Sequence, residues 1–128
     1  MKKIINSSQA PAAIGPYSQA VEANGFLFVS GQLPVDPVLG KISSNSIEEQ
    51  TEQVFLNIKA ILDEAGYSFS DVIKSTVFLA DIADFAAMND VYKKYYSVDC
   101  PARSAFAVKA LPLGALVEIE TIACKTKA

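Results

Sequence analysis

The chain has 128 residues, a length that suits one continuous core, and we predict a single domain over residues 1–128. Hydrophobic residues make up 51% of it and the mean hydropathy is +0.25, so we expect some apolar surface to be buried against another subunit. The formal net charge is −3 and the basic residues are scattered, whereas binding to a phosphate backbone requires concentrated positive charge. We therefore expect no nucleic-acid partner.

The sequence contains no histidine. This excludes Ser-His-Asp and Cys-His catalysis, HExxH zinc sites and the histidine-ligated zinc deaminases. The two cysteines, Cys100 and Cys124, are far apart in sequence and form no CxxC pair. We expect two reduced thiols, no metal site and no disulfide framework.

The start of the chain has two lysines, Lys2 and Lys3, as a signal peptide does, but the apolar stretch that follows stops after two residues. A secretory signal needs a longer apolar segment. No window approaches the length of a membrane span. We therefore predict a cytoplasmic protein with no membrane partner.

In the first half of the chain, one strand and one helix are predicted. Residues 26–31 form a short aromatic and branched run that is typical of a buried strand, and residues 36–41 have the composition of a turn. Ser46-Ile47-Glu48-Glu49 has the form of a capping box, with Ser46 as N-cap and Glu49 reaching back. The helix continues with apolar residues at helical spacing and stops at Gly66; these apolar residues are Val54, Ile58, Ile61, Leu62 and Ala65.

The second half predicts a strand over 72–79, a helix over 84–96 and two closing strands over 104–110 and 116–125, joined by a turn at 112–114. The inner face of the helix is predicted to carry Phe85, Met88, Val91, Tyr92 and Tyr95. The order of strands and helices predicts an α+β fold with the helices packed on one face of a mixed sheet. The closing strands are expected to be antiparallel neighbours because their connection is short.

Arg103 lies near the start of the run PARSAFAV, whose other residues are mostly small and apolar. Because its guanidinium stays charged, it needs planar hydrogen-bond acceptors from the protein or from a ligand. Strand alternation puts Arg103 and Ala105 on one face, and Glu118 and Glu120 on one face of the last strand. If the two strands are neighbours, Arg103 and Glu118 belong to one site. The alternative from spacing alone is an ordinary ion pair or two solvated charges.

Four further positions have both a structural and a functional interpretation. Ser30 and Gly31 end a strand, and the functional alternative is close approach of the backbone to a ligand. Asn89 is a solvent-facing polar residue of the second helix, or it hydrogen-bonds in a cleft. Tyr17, beside Gly15-Pro16, is a packed aromatic or a ligand contact.

Several segments closely resemble the signature of the reactive intermediate deaminase A (RidA) family, also called the YjgF-type family. They lie in the family's order and cover nearly the whole chain. The segments are Ala10 to Gln19 (APAAIGPYSQ), Ser30-Gly31-Gln32-Leu33-Pro34, Thr76-Val77-Phe78-Leu79, Phe85-Ala86-Ala87-Met88-Asn89, and Pro101-Ala102-Arg103-Ser104 continuing through Lys109, Leu111 and Val117-Glu118-Ile119.

The resemblance implies a chorismate-mutase-like fold and a homotrimer with clefts between neighbouring subunits. It also implies hydrolysis of reactive 2-imino acids, such as 2-iminopropanoate and 2-iminobutanoate, to 2-keto acids and ammonia. This reaction protects the cell from reactive enamines and needs no metal or organic cofactor. Two other functions remain open: a regulatory protein that binds keto acids or amino acids in the same clefts, and the endoribonuclease or translation inhibitor activity also attached to the family.

Residue by residue, the resemblance implies that Arg103 grips the substrate carboxylate and that Glu118 activates the attacking water. A carboxylate beside an arginine has a lowered pKa, so we expect Glu118 to be ionised near neutrality. The resemblance further implies that the cleft is lined by Tyr17 and Asn89, by the backbone of Gly31 and Ala105, and by Ser30. Many relatives have a cysteine where this chain has Ala105, so no thiol is available there.

Overall fold

The computed structural model describes residues 1–125, so the last three residues of the predicted domain lie outside the described part. Two helices pack on one face of a six-stranded sheet, and a two-stranded ribbon lies beside it. The strands are β1 (Lys3–Ile5), β2 (Ala20–Ala23), β3 (Phe26–Gln32), β4 (Val35–Asp36), β5 (Lys41–Ile42), β6 (Val72–Leu79), β7 (Ala102–Ala107) and β8 (Val117–Cys124); the helices are α1 (Ile47–Ala65) and α2 (Phe85–Tyr95). The predicted α+β fold class is confirmed.

The sheet order is β1-β2-β3-β8-β6-β7, and only the β6–β7 pair is parallel. Parallel neighbours need a crossover, which α2 supplies between β6 and β7. The prediction that the two closing strands are antiparallel neighbours is therefore wrong, because β6 lies between β7 and β8. The crossover places β7 at the edge of the sheet, and the 108–116 connection then passes the end of β6 to reach β8.

The first helix forms where the sequence predicts it, with one difference at its start. Ser46 Oγ accepts from the Glu49 N–H (3.3 Å), as an N-cap does. The predicted return contact of Glu49 is wrong, because the Ser46 N–H donates to Ser44 Oγ (3.0 Å) instead. Gly66 ends the helix in the left-handed conformation (φ 80°), which a residue without a side chain adopts at little cost.

The core lies between the helices and one face of the sheet. The buried apolar residues of α1 and α2 meet those of β3, β6 and β8 there, among them Val54, Ile58, Met88, Leu27, Val77 and Ile119. The other face, which we call the open face, has no helix over it and carries Phe26, Phe28, Phe78, Phe106, Glu118, Glu120 and Ile122. The alternation predicted for β8 is confirmed, since Val117, Ile119 and Thr121 are buried on the helix side.

Four predicted segments differ in extent from the observed ones. The strands predicted over 26–31 and 116–125 span Phe26–Gln32 and Val117–Cys124. The helix predicted over 84–96 spans Phe85–Tyr95, and the strand predicted over 104–110 begins earlier, at Ala102, so that Arg103 lies inside it. The turn predicted over 36–41 is present: it joins β4 to β5, and Asp36 Oδ1 accepts from the Val38 N–H (2.8 Å). Within residues 1–125, the structure has no helix with the length and hydropathy that crossing a bilayer requires.

Candidate active site

Glu118 stands on β8, in the interior of the sheet between β3 and β6, and points to the open face. Opposite it, β3 has a bulge, because Ser30 and Gly31 together face only Glu120 between the Val29–Thr121 and Gln32–Ile119 pairs. The Glu118 carboxyl group packs against Gly31 so closely that a Cβ at position 31 would lie 3.0 Å from Cδ and would clash with Oε2. The glycine therefore makes the space that the carboxylate occupies.

The pKa of Glu118 is raised, first by burial, which disfavours the charged form, and second by the negative charge of Glu120. We expected a lowered pKa from a neighbouring Arg103, and this expectation is wrong for the described chain. None of the ion pairs among residues 1–125 involves Glu118. Within one chain the Glu118 carboxyl group therefore holds a proton more tightly than a free glutamate does, a direction that suits a general base.

Arg103 lies on the edge strand β7 and points to the helix side of the sheet. Its Nη1 donates to Asn89 Oδ1 at 2.6 Å. Its guanidinium carbon lies 4.7 Å from the ring centre of Tyr92 and 5.3 Å from that of Phe85, within the range of cation–π attraction. The side chain is otherwise exposed, so the head group is held in position and still accessible to a small anion.

Arg103 and Glu118 do not meet within one chain. Arg103 is paired with Ser75 of β6, and Glu118 is paired with Phe78 of the same strand, so β6 separates them. They also face opposite sides of the sheet, Arg103 toward α2 and Glu118 away from both helices. The interpretation as one site formed by neighbouring strands is therefore wrong for a single chain.

Tyr17 and Gly31 line an open cleft of about 270 Å³ beside the β3 bulge. The side chain of Tyr17 is half exposed there. The other lining residues come from the segment before β2, from 32–40 and from the turn before β8; they are Pro11, Ala12, Ile14, Gln19, Gln32, Leu33, Val35, Pro37, Gly40 and Leu113. The structure thus brings Tyr17, Gly31 and Glu118 into one region.

The remaining predicted residues are divided between the Glu118 region, which includes the cleft, and the Arg103 region. Ser30 lies in the bulge, but its Oγ donates to the Ser18 carbonyl at 2.6 Å, so the hydroxyl is already engaged. Ala105 shares a face with Arg103 and is partly buried. Asn89 belongs to the Arg103 region as the acceptor for the guanidinium. Among residues 1–125, no group of three Cys, Asp or Glu side chains lies close enough to hold a metal ion.

Sequence reasoning missed the role of Phe85 and Tyr92 as supports of Arg103, although it placed both on the inner face of the helix. A signal was present, because residues 85, 89 and 92 are spaced by four and three and therefore share a helix face. It also missed Leu113, which sequence alone placed only in a turn.

Residues 7–125 match the family model described as endoribonuclease L-PSP. A 2-iminobutanoate/2-iminopropanoate deaminase of Capra hircus is 50% identical over 123 residues, covering 96% of this chain and 90% of its own. A Lactococcus lactis protein named as a candidate regulator, AldR, is 53% identical over 121 residues, covering 94% of this chain and 96% of its own.

Two solved structures have the same fold. YyfA of Yersinia pestis, described as a protein of the conserved Rid family, superposes with a TM-score of 0.95 at 47% identity and covers 98% of this chain and 100% of its own. TdcF of E. coli, solved with bound serine, superposes with a TM-score of 0.92 at 42% identity and covers 97% of this chain and 99% of its own. The agreement extends over nearly the whole chain in both cases.

Proposed function

Because the chain belongs to the RidA family, which the matching family model describes as endoribonuclease L-PSP, we propose that it is a 2-imino acid deaminase. It hydrolyses small substrates such as 2-iminopropanoate and 2-iminobutanoate to 2-keto acids and ammonia, and it does so in the cytoplasm. The observation that carries the proposal is the Glu118 carboxylate, half-buried against Gly31 with a raised pKa, in a chain 50% identical to a named deaminase. A base with this property suits the activation of water.

The reaction needs one cation and one base. The guanidinium of Arg103 binds the substrate carboxylate through two parallel hydrogen bonds, a geometry that its planar fork provides. Glu118 takes a proton from a water molecule as the water oxygen bonds to the imine carbon. The imine is protonated at nitrogen, so this addition gives a neutral carbinolamine, and Glu118 then returns its proton to the nitrogen. The C–N bond breaks, the hydroxyl proton passes to the departing ammonia as the carbonyl forms, and the products are the 2-keto acid and ammonium.

We propose a homotrimer in which Arg103 of one protomer and Glu118 of its neighbour meet in the cleft between them. The positions of these two side chains on opposite faces of one sheet support this, since a single chain does not offer both to one small molecule. The open face supports it as well, because Phe26, Phe28 and Phe106 are 39–48% exposed there and apolar surface of this kind is usually covered. A ring of three copies with a heterologous interface gives three equal sites.

The other cleft residues have supporting roles in this proposal. Tyr17 forms the wall, and Asn89 orients the guanidinium that it contacts at 2.6 Å. Gly31 and Ala105 allow the backbone to approach the substrate. Ser30 shapes the bulge, and its Oγ, which donates its proton to the Ser18 carbonyl, keeps lone pairs that can accept a hydrogen bond from the substrate.

The direct test couples the purified protein to a serine or threonine dehydratase and follows 2-keto acid release with and without it. The wild type should release keto acid faster than the spontaneous rate, and Arg103→Ala should remove the excess. An Arg103→Ala protein that matches the wild type would show that this mechanism is wrong.

A regulatory role is the second candidate, and the identity of 53% to AldR favours it. In this case the same cleft senses an amino acid or keto acid, as the serine in the TdcF structure suggests for that protein. The variant Glu118→Ala separates the two functions. It should abolish turnover but spare carboxylate binding in an enzyme, whereas a wild type that binds keto acids without turnover indicates a sensor.

Ribonuclease activity is the third candidate because of the family model's description. The net charge of −3 and the absence of histidine argue against it. Binding to a single-stranded RNA at low and high salt tests this candidate. An absence of binding at both salt concentrations would exclude ribonuclease activity.

A further inference from the structure

We infer that the 270 Å³ cleft beside Gly31 receives the side chain of the substrate, and that Leu113 selects apolar side chains larger than those of 2-iminopropanoate. This inference rests on the proposed function. Gly31 connects the cleft to the proposed catalytic base, because it lines the cleft and packs against the Glu118 carboxylate. A substrate whose imine carbon lies near Glu118 therefore has the cleft within reach of its side chain.

Two amide side chains line the cleft, Gln19 and Gln32, and they bond wholly or in part to the protein's own backbone. Gln19 Oε1 accepts from the Ser7 N–H at 2.6 Å, and its Nε2 donates to the Ser7 and Pro11 carbonyls at 3.1 and 2.9 Å. Gln32 Nε2 donates to the Ser30 carbonyl at 3.1 Å. A polar substituent would lose hydration there and meet few polar side-chain groups in return, chiefly Gln32 Oε1 and the Tyr17 hydroxyl, so the cleft favours an apolar one.

Most of the remaining lining is apolar, and the cleft is large enough for a bulky side chain. Most of the other lining side chains are aliphatic or proline; they are Pro11, Ala12, Ile14, Leu33, Val35, Pro37 and Leu113. An apolar cavity of about 150 Å³ is enough to take up benzene, so a cleft of 270 Å³ has room for an isobutyl or benzyl group. A methyl or ethyl group would leave most of it unfilled.

Leu113 stands out among these residues by its backbone. It has φ 59° and ψ 20°, in the left-handed region that a leucine adopts only at an energetic cost. Its side chain is 65% exposed, so burial in the core does not compensate for that cost. The turn at 112–114 nevertheless holds the side chain at the cleft, which is the position a specificity residue requires.

The test measures kcat/KM for the imines of leucine and alanine, generated in situ by an L-amino-acid oxidase with catalase. Leu113→Asn should lower the ratio of the leucine value to the alanine value about three- to tenfold, because it removes apolar contact to the larger side chain. Asparagine tolerates the left-handed conformation, so Tm should not fall. Leu113→Gly should lower the ratio in the same way.

Val38→Asn is the matched control, because Val38 is an exposed apolar residue of the neighbouring turn that does not line the cleft. Its ratio should equal that of the wild type. A ratio that is unchanged in both Leu113 variants would overturn this inference and leave the proposed function standing. The same holds if kcat/KM falls equally for both imines and the oligomer is lost in size-exclusion chromatography. A wild type that hydrolyses neither imine would overturn the proposed function and this inference with it.

Discussion

The structure holds Glu118 and Arg103 in two different ways. Glu118 lies on a strand with paired neighbours on both sides, and the main chain of the Ser30–Gly31 bulge is beside its carboxylate. Arg103 lies on an edge strand, and side chains of α2 determine where its head group is. The backbone pairing of the sheet therefore fixes the position of Glu118, whereas the position of the Arg103 guanidinium depends on a few side-chain contacts. We expect substitutions near Glu118 to change stability and chemistry together, and those near Arg103 to change substrate binding.

The largest expected effect is on turnover when the base is removed. Glu118→Gln keeps the shape of the side chain, but it should lower kcat by about 10²–10⁴-fold, the usual contribution of a general base. Keto acid binding, measured by calorimetry, should persist. A variant that retains more than half of the wild-type kcat would contradict the role of Glu118.

The same variant has a predicted effect on stability. Burial and the charge of Glu120 raise the pKa of Glu118 in the folded chain, so the native state binds this proton more tightly than the unfolded state. Ionised Glu118 therefore lowers stability as the pH rises from the unfolded pKa through the folded pKa. Glu118→Gln should have a Tm at pH 7 that is at or above the wild-type value, and the difference should vanish below about pH 4.

A methyl group at Gly31 is the next largest perturbation. The added Cβ would lie 3.0 Å from Glu118 Cδ, so Gly31→Ala should lower the free energy of unfolding by about 1–3 kcal/mol in urea denaturation. Gly15→Ala is the matched control, because its Cβ would meet only the Tyr17 ring, at 3.6 Å. In a Glu118→Ala background the cost of Gly31→Ala should disappear. If Gly31→Ala still destabilises the Glu118→Ala protein, the strain does not come from the contact with the Glu118 side chain.

Asn89 tests the Arg103 region with a smaller effect. Asn89→Ala removes the acceptor at 2.6 Å and should raise KM about three- to tenfold with a smaller change in kcat. Asn89→Asp should raise KM further, because its charge competes with the substrate carboxylate for the guanidinium. Asp90→Ala, on the exposed side of the same helix, should leave KM unchanged. A fall in kcat without a change in KM would contradict a positioning role.

The smallest expected effect is a displacement of the pH profile. The base must be ionised, so kcat/KM should fall as the pH drops through the pKa of Glu118. Glu120→Gln removes a negative charge that raises this pKa, and the acidic limb should move to lower pH. Glu64→Gln, exposed on α1, serves as the control. A limb that moves to higher pH would show that Glu120 does not act on Glu118 through its charge.

The sequence predicted α1 and the faces of β8 well because both depend on local signals. Cap residues and helical spacing determine α1, and alternation determines which side chains of β8 are buried. Pairing between strands is different. Alternation shows which residues of one strand share a face, but it does not show that β7 is a parallel edge strand or that Arg103 and Glu118 point to opposite sides.

Strand alternation left it open whether Arg103 and Glu118 form one site, so the candidate site was predicted mainly through the resemblance. It supplied Arg103, Glu118, Tyr17 and Asn89 as members, and the structure divides them between two regions of the chain. The close fit of Glu118 against Gly31 was not predictable, because it depends on a bulge and on pairing between β3 and β8. The raised pKa of Glu118 follows from that burial and was missed for the same reason.

The central claim, that each site takes Arg103 from one protomer and Glu118 from its neighbour, is tested most directly by mixing two inactive variants. Arg103→Ala and Glu118→Ala proteins are denatured together in equal amounts, refolded and assayed for imine hydrolysis. In a randomly mixed trimer, about a quarter of the sites receive an intact Arg103 and an intact Glu118, so about a quarter of wild-type activity should return. Mixed trimers that remain inactive would contradict the claim.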